Sequence, residues 1–302
     1  MKRKRVWLTG ANGQLGTAIQ RTAPTEAPEL QIIGTTRKEV DLSSPAEVAR
    51  FAETHRIDVV VNCVAYTNVD AAERQSADAV YANVAIPHIL GSIAQAKGLP
   101  LIHVSTDHIF GKGATDRSLP YTEEETPDPA NTYGLTKYLG EYALQSVTSA
   151  LYILRTSWLY SPVSWGHKSF YKSILGKALE GGSLRVVTDE VSAPTSAITL
   201  AQVILRIAVD SGTEAAPPYG VYHITDLGEA SRHTFAKAIA ALHPVTAERT
   251  VAECLQSDLQ LPAPRPRYSK LDTAKIAQYY PQLFRPWQER LQEVYQYDKT
   301  VE

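Results

Sequence analysis

Cysteine and methionine are scarce in this sequence of 302 residues, in which Cys63 and Cys254 are the only cysteines and a single methionine occurs. Two cysteines build neither a disulfide framework nor a thiolate metal cluster. The eight histidines include no His-x-x-x-His pair and no Cys/His group at zinc spacing, so we expect no bound metal. A reducing cytoplasm is the expected location.

Long apolar runs and an excess of charge of one sign are also lacking. No segment approaches the roughly 18 uninterrupted apolar residues of a membrane span, so no membrane partner is expected. The 30 Lys and Arg residues against 32 Asp and Glu residues give a formal net charge of −2, which leaves no overall basic field for nucleic acid. A phosphate-bearing ligand must therefore be bound by local contacts.

The first half of the chain instead shows short apolar segments that alternate with amphipathic ones. Strands are predicted at 6–9, 31–34, 59–64, 101–105 and 151–155, and helices at 14–22, 44–55, 71–81, 85–97 and 132–145. Apolar strands without strict alternation are typical of parallel sheets that are buried on both faces. The fold class predicted is therefore α/β, with a Rossmann-like, doubly wound parallel sheet.

The second half is less regular, with helices predicted at 169–178 and 231–242 and a proline-rich segment at 261–266. We interpret residues 1–160 as a dinucleotide-binding domain to which the chain returns at about 185–212. Residues 161–302 are expected to form mainly a smaller, interleaved substrate-binding lobe.

The segment Gly10-Ala11-Asn12-Gly13-Gln14-Leu15-Gly16 follows the first strand and opens the first helix. Glycines in such a turn allow the backbone to approach a pyrophosphate, which binds at the helix N-terminus. We therefore predict that Gly10, Asn12, Gly13, Gln14 and Leu15 bind a dinucleotide. The alternative is an ordinary tight turn.

The second strand is followed by Thr35-Thr36-Arg37-Lys38, where a protein that binds NAD usually has an acidic residue. Arginine at this position favours the 2′-phosphate of NADPH, with NADH as the alternative cofactor. Arg37 would otherwise be a solvated loop charge. Asp41, a few residues further on, is predicted to face the adenine.

The strongest signal is Tyr133 and Lys137, four residues apart on one face of a predicted helix. A nearby ammonium group lowers the pKa of a phenol from its reference value of about 10, and the same lysine can hold the nicotinamide ribose. The fourth strand ends in Ser105-Thr106-Asp107, which puts hydroxyl groups at the edge of the sheet where ligands bind. We predict that Thr106 polarises a substrate carbonyl while Tyr133 supplies the proton.

With these motifs the sequence resembles the extended short-chain dehydrogenase family and, within it, the dTDP-4-dehydrorhamnose reductase family, along nearly the whole chain. The resemblance is carried by residues 13–16, 58–67, 69–73, 105–111, 133–137 with Gly140 and Glu141, 154–158, 193–195 and 265–272. It implies that Asp41 and Leu42 flank the adenine and that Ala65, Tyr66 and Thr67 line the nicotinamide half of the cofactor groove.

The resemblance further implies a catalytic set of Thr106, Tyr133 and Lys137 and a substrate site that also includes Asp107, His108 and Trp158, whose indole would pack against the sugar. Magnesium-bridged dimers of some relatives use glutamates where this chain has Ala18 and Ile198, so no metal is expected at such an interface. A homodimer without metal is the possible assembly.

Two departures from the family pattern lie near the expected sugar pocket. His108 stands where the family usually has tyrosine, and Asp189-Glu190-Val191-Ser192 stands where it usually has Asp-Gln-x-Gly. His108 is interpreted as a donor to the substrate, as a group that titrates at about pH 6 to 7, or as an ordinary packed histidine.

The expected activity is NADPH-preferring reduction of the C4 keto group of a nucleotide-activated 6-deoxysugar, dTDP-4-dehydro-L-rhamnose above all, to dTDP-L-rhamnose. Two other classes share the fold and remain alternatives. One is a non-catalytic regulatory subunit that resembles the beta subunit of methionine adenosyltransferase, and the other is a nucleotide-sugar epimerase with tightly held NAD.

Overall fold

A six-stranded parallel sheet organises the chain in the computed structural model, which describes residues 3–113, 117–181, 183–246 and 250–300. The strands are Lys4–Thr9 (β1), Leu30–Thr35 (β2), Val59–Asn62 (β3), Leu101–Thr106 (β4), Leu151–Thr156 (β5), Leu159–Tyr160 (β6), Leu184–Val187 (β7), Val191–Ser192 (β8), Thr195–Ser196 (β9), Gly220–His223 (β10), Ala230–Ser231 (β11) and Val251–Cys254 (β12). In the main sheet the order is β10-β5-β4-β3-β1-β2 and every neighbouring pair is parallel. The predicted doubly wound fold is confirmed.

The helices cover both faces of this sheet and build the second lobe. They are Gln14–Glu26 (α1), Pro45–Thr54 (α2), Val69–Ala72 (α3), Ser76–Val80 (α4), Ile86–Lys97 (α5), Thr132–Gln145 (α6), Phe170–Leu179 (α7), Ala197–Asp210 (α8), Arg232–Leu242 (α9), Ala274–Ala277 (α10) and Trp287–Lys299 (α11). A π-helical turn, Tyr81–Ala85, joins α4 to α5. Within the described part of the chain, no helix is both long enough and apolar enough to cross a membrane.

Strand β1 shows how the two faces of the sheet are covered. Val6 and Leu8 point to a core that contains residues of α1 and α8, while Trp7 between them points to the opposite core with residues of α2, α5 and α6. This alternation follows from the two-residue period of a strand, and burial on both sides explains why its sequence is continuously apolar.

The second lobe has its own core, formed by α7, α9, α11, the pair β7–β12 and Ala230 of β11, the strand that pairs with β8. The chain returns to the main sheet through α8, which packs against α1, and through β10, which pairs with β5. Strand β7 lies at the start of the range of about 185–212 that we assigned to the return, but it pairs with β12 of the lobe. The domain boundaries at 160 and 161 stay a prediction.

Candidate functional site

The carboxyl ends of β1, β3, β4 and β5 open onto a cavity of about 500 Å³. This is the edge at which parallel α/β sheets bind their ligands. Eleven of the predicted site residues line it: Gly13, Gln14, Leu15, Ala65, Thr67, Thr106, Asp107, His108, Tyr133, Lys137 and Trp158. Four residues that were not predicted from the sequence also line the cavity: Cys63, His167, Lys168 and Arg232.

The glycine turn lies against the end of β3 and leads directly into α1. Gly10 has φ +70°, and a Cβ atom there would come within 3.0 Å of the Cys63 carbonyl carbon. A Cβ atom on Gly16 would lie 2.4 Å from the Gly10 oxygen. Among the described residues no side chain caps α1 at Gly13, so the first N–H groups of the helix can receive an anion. The predicted pyrophosphate site therefore has the required shape and donors.

The residues predicted at the adenosine end lie outside the cavity. Arg37 is exposed in the turn after β2, and the Asp41 carboxylate accepts hydrogen bonds from the Ser43 amide and hydroxyl at 2.9 and 2.7 Å. Leu42 is buried in the core between the sheet and α2. Asn12 is exposed at the tip of the glycine turn. Contact of these four residues with a cofactor stays a prediction.

The loop after β3 brings Ala65 and Thr67 to the cavity but turns the Tyr66 side chain away from it, toward Gln75. Asn83, in the π-helical turn, holds this loop. Its side chain accepts from the Tyr66 amide at 2.8 Å and donates to the Thr136 hydroxyl at 3.0 Å. The irregular turn thus connects the predicted nicotinamide loop to α6, and turns of this kind are frequent at functional sites.

Thr106 ends β4, Asp107 begins the turn that follows, and both residues line the cavity. The Asp107 carboxylate accepts from the Ser269 hydroxyl at 2.5 Å and from the Ser192 hydroxyl at 3.4 Å. Asp107 therefore joins the strand end to the second lobe, while the Thr106 hydroxyl lies 3.2 Å from its other carboxylate oxygen. Asp107, which was predicted to bind the substrate, thus also has a structural role.

Tyr133 lies in the first turn of α6, which packs unusually close to the end of β4. A Cβ atom on Gly134 would be 2.0 Å from the His108 carbonyl oxygen, so only glycine permits this approach. Burial raises the pKa of Tyr133 to about 12, and the Thr106 hydroxyl beside it acts in the opposite direction. The phenol therefore stays protonated at neutral pH, as a proton donor must.

Lys137 is buried one turn further along α6. Its ammonium group donates to the Val104 carbonyl oxygen at 2.6 Å and lies 3.4 Å from His103 Nε2. Burial lowers the pKa of Lys137 to about 8, and the Glu141 carboxylate opposes this effect. Burial dominates the pKa of Tyr133 in this arrangement, and the lowering of that pKa by Lys137 stays a prediction.

Trp158 and Arg232 form the opposite wall of the cavity. The Arg232 guanidinium carbon lies 3.7 Å from the centre of the indole ring, so one face of Trp158 is covered. The Nε atom of Arg232 lies 3.5 Å from the Glu190 carboxylate, and within the described residues its two terminal nitrogens have no hydrogen-bond partner. Trp158 has φ +44°, a strained conformation that is typical of functional sites.

The loop before α7 brings His167 and Lys168 to the same wall. His167 Nε2 lies 2.8 Å from the Thr17 hydroxyl, so this loop reaches the first turn of α1. No spacing in the sequence marks these residues or Arg232, which simply follow a loop or open a predicted helix. Within the described ranges, no group of three or more His, Cys, Asp or Glu residues is arranged to hold a metal ion.

Residues 4–299 match the sequence family described as the RmlD substrate binding domain. The chain belongs to this family. It is 34% identical over 291 residues to dTDP-4-dehydrorhamnose reductase of Mycolicibacterium smegmatis, covering 96% of this chain and 84% of that one. The resemblance predicted from the sequence is confirmed.

Two solved structures share the fold along almost the whole chain. The dTDP-4-dehydrorhamnose reductase of Clostridium acetobutylicum is 31% identical, with a TM-score of 0.86 and coverage of 97% of this chain and 98% of that one. The enzyme of the same name from Bacillus anthracis, solved in complex with NADP, is 29% identical, with a TM-score of 0.86 and coverage of 97% and 99%.

Proposed function

We propose that the protein reduces the C4 keto group of a nucleotide-activated 6-deoxysugar with NADPH, and that its substrate is dTDP-4-dehydro-L-rhamnose. The observation that carries this proposal is that one cavity brings Thr106, Tyr133 and Lys137 together with the N-terminus of α1. Such an arrangement is suited to a dinucleotide and a carbonyl substrate that bind side by side. The names and the bound NADP of the relatives support the same conclusion.

The chain fits a nicotinamide dinucleotide by its shape as well as by its motif. The positions of Gly10 and Gly16 leave no room for a side chain, and the uncapped start of α1 offers backbone donors for a pyrophosphate. Lys137 would hold the nicotinamide ribose, beside the loop of Ala65 and Thr67. When bound, the reduced cofactor supplies the hydride for the reaction.

The residues of this chain supply the proton and the polarisation of the carbonyl. Thr106 donates a hydrogen bond to the carbonyl oxygen, and Tyr133 donates both a hydrogen bond and then its proton as negative charge develops on that oxygen. The high pKa of Tyr133 keeps the proton in place beforehand. Lys137 is charged at neutral pH, since its pKa is about 8, and stabilises the phenolate that remains.

A diphosphate suits the wall of the cavity that Trp158 and Arg232 form. Among the described residues that line the whole cavity, three are cationic, Lys137, Lys168 and Arg232, and Asp107 carries the one carboxylate. The cavity is thus cationic although the chain carries a formal charge of −2, as the composition requires of a local phosphate site. The terminal nitrogens of Arg232, which have no hydrogen-bond partner in the described part of the chain, are suited to two phosphate oxygens.

The decisive experiment measures NADPH consumption with dTDP-4-keto-6-deoxy-L-mannose. We expect turnover that depends on added NADPH and yields dTDP-L-rhamnose. A regulatory subunit would bind nucleotide but consume no NADPH, and an epimerase would copurify with NAD and convert its substrate without added reductant. Either result would replace the proposal by the corresponding alternative.

The cytoplasmic location and the homodimer belong to the same proposal. Cys63 and Cys254 are both free thiols, as a reducing compartment requires. Leu135, Leu139 and Tyr142 form an apolar stripe on the outer face of α6, with exposed fractions of 45%, 40% and 66%. Such a stripe is suited to a second copy of the chain. Size-exclusion chromatography with light scattering measures the molar mass in solution and so decides whether the protein is a dimer.

A further inference from the structure

The His108 imidazole faces the cavity from the segment that follows β4. Its ring stands edge-on to the ring of Tyr133, with 5.4 Å between the ring centres. The Nδ1 atom lies 3.1 Å from the Asn131 amide nitrogen. In the part of the chain that the structure describes, Nε2 has no hydrogen-bond partner, so it is the ring atom available to a ligand in the cavity.

The orientation of the Asn131 amide is fixed by two independent contacts. Its oxygen accepts from the Gly134 amide at 2.8 Å and thereby caps α6, and its nitrogen donates to the Pro264 carbonyl at 2.9 Å. A backbone N–H only donates and a carbonyl only accepts, so exchanging the two amide atoms would break both bonds. The nitrogen of Asn131 must therefore be the atom that faces His108.

This orientation sets the tautomer of His108. Because the amide nitrogen of Asn131 donates to Nδ1, that ring atom must carry a lone pair, and the single proton of the neutral ring is on Nε2. Protonation of Nδ1 would place two N–H groups against each other. Burial, too, lowers the pKa of His108 and so disfavours the imidazolium.

The charged groups around the imidazole are balanced in sign. Two guanidinium groups lower the pKa of His108 further, and two carboxylates oppose them: Arg232 and Arg265, against Asp107 and Glu190. None of these four side chains is hydrogen-bonded to the ring among the described residues, so the amide of Asn131 is the contact that selects the tautomer.

We propose that His108 is a specificity residue that donates its Nε2–H to the hydroxyl oxygen on the sugar carbon next to the carbonyl, and that Asn131 is the positioning residue that holds this tautomer. This inference rests on the proposed function. A carbonyl oxygen has two lone pairs, and Thr106 and Tyr133 occupy both. A third donor beside Tyr133 therefore reaches a substituent on a carbon next to the carbonyl. In a 4-keto-6-deoxysugar only one of the two carbons that flank C4 carries a hydroxyl, which is the 3-hydroxyl.

The tautomer is measured directly by ¹⁵N NMR of the histidine rings in the protein without substrate. We expect a protonated Nε2 and an unprotonated Nδ1 for His108 throughout the neutral pH range. In the Asn131→Asp variant, which caps α6 equally well, a carboxylate faces Nδ1 and the proton should move to Nδ1 with a raised pKa of the ring. A wild-type protein with Nδ1–H, or an unchanged tautomer in the variant, would overturn the inference.

The role toward the substrate is measured by kcat/KM of two His108 variants with the natural substrate and its 3-deoxy analogue. His108→Phe should reduce kcat/KM for the natural substrate about fivefold to a hundredfold, while His108→Gln, which keeps an N–H donor, recovers most of it. The 3-deoxy analogue should be equally poor for wild type and His108→Phe. A loss in His108→Phe that is the same for both substrates would show packing alone.

The pH profile gives a readout that a purely structural residue would not change. Asn131→Asp should introduce a step in kcat/KM at the pKa that NMR measures for its His108, with higher values on the acid side, because only the imidazolium of that variant carries an Nε2–H. The wild-type profile should lack that step. If wild type consumes no NADPH with this substrate, the proposed function fails, whereas the NMR result on the resting protein still decides the tautomer.

Discussion

The cofactor preference is the prediction most open to refutation, because it depends on one exposed side chain. The Ala11 amide donates to the Thr35 carbonyl at 3.1 Å, so the turn that carries Arg37 lies directly beside the glycine turn. A dinucleotide with its pyrophosphate at the start of α1 would place its adenosine ribose along the end of β2. Changing Arg37 to Ala should therefore weaken NADPH selectively and leave NADH almost unchanged.

The exposure of Arg37 sets the magnitude of the effect. A charge-assisted hydrogen bond contributes about 1.5–3 kcal/mol, but exposed ion pairs contribute only about 0.2–1 kcal/mol. Arg37 is exposed, and no carboxylate pairs with it among the described residues, so its guanidinium is free but solvated. We expect a contribution of about 1–1.5 kcal/mol, which corresponds to roughly a fivefold to tenfold preference for NADPH.

The assay compares kcat/KM for NADPH and NADH in wild type and in Arg37→Ala, at low and at high salt. The preference should shrink at high salt, because the contact is exposed. Lys38→Ala is the matched control, since Lys38 is the adjacent exposed cation of the same turn. Equal kcat/KM for the two cofactors in wild type, or an equal loss of both in the variant, would show that Arg37 is a solvated loop charge.

Three further predictions concern α6. Tyr133→Phe should abolish turnover but leave the NADPH dissociation constant nearly unchanged, because it removes only the proton; near-normal turnover would refute the mechanism. NADPH affinity should fall as pH rises through about 8, where Lys137 loses its charge. In binding titrations, Lys137→Met should bind NADPH more weakly than wild type and should lack this pH dependence. Gly134→Ala should lower the free energy of unfolding by about 1–3 kcal/mol and reduce kcat/KM, because its Cβ atom meets the His108 oxygen at 2.0 Å. In thermal unfolding the control Gly176→Ala, a helical site with open space, should be stabilised by up to about 1 kcal/mol.

The main sheet was predictable because its signals are local. The strands β1 to β5 are short apolar runs between amphipathic segments, and the glycine turn and the Tyr133–Lys137 pair each span a few residues. Strand β10 was not predicted. Its four residues, Gly220–His223, form a strand only because β5 offers a free edge far away in the sequence.

The part of the site contributed by the second lobe could not be predicted in the same way. Arg232 opens α9, and nothing near it in the sequence indicates that its guanidinium packs on Trp158, 74 positions earlier along the chain. The resemblance assigned Leu42 to the adenine, and the burial of its side chain in the core beside α2 was not predicted from the sequence. Contacts between distant segments depend on packing, which local patterns do not record.

The buried face of α6 explains why one helix carries most of the chemistry. That face includes Lys137 and Glu141, where an amphipathic helix would normally place apolar residues. Glu141 is satisfied by Arg155 of β5 at 2.7 Å and by Ser105 of β4, and a buried ion pair of this kind is rarely more stabilising than apolar packing. Its effect on Lys137 is different, because the carboxylate one turn away opposes the lowering of the pKa of Lys137 by burial. The Glu141 carboxylate therefore helps to keep the ammonium group charged inside the core, as the roles that we propose for Lys137 toward Tyr133 and the ribose require.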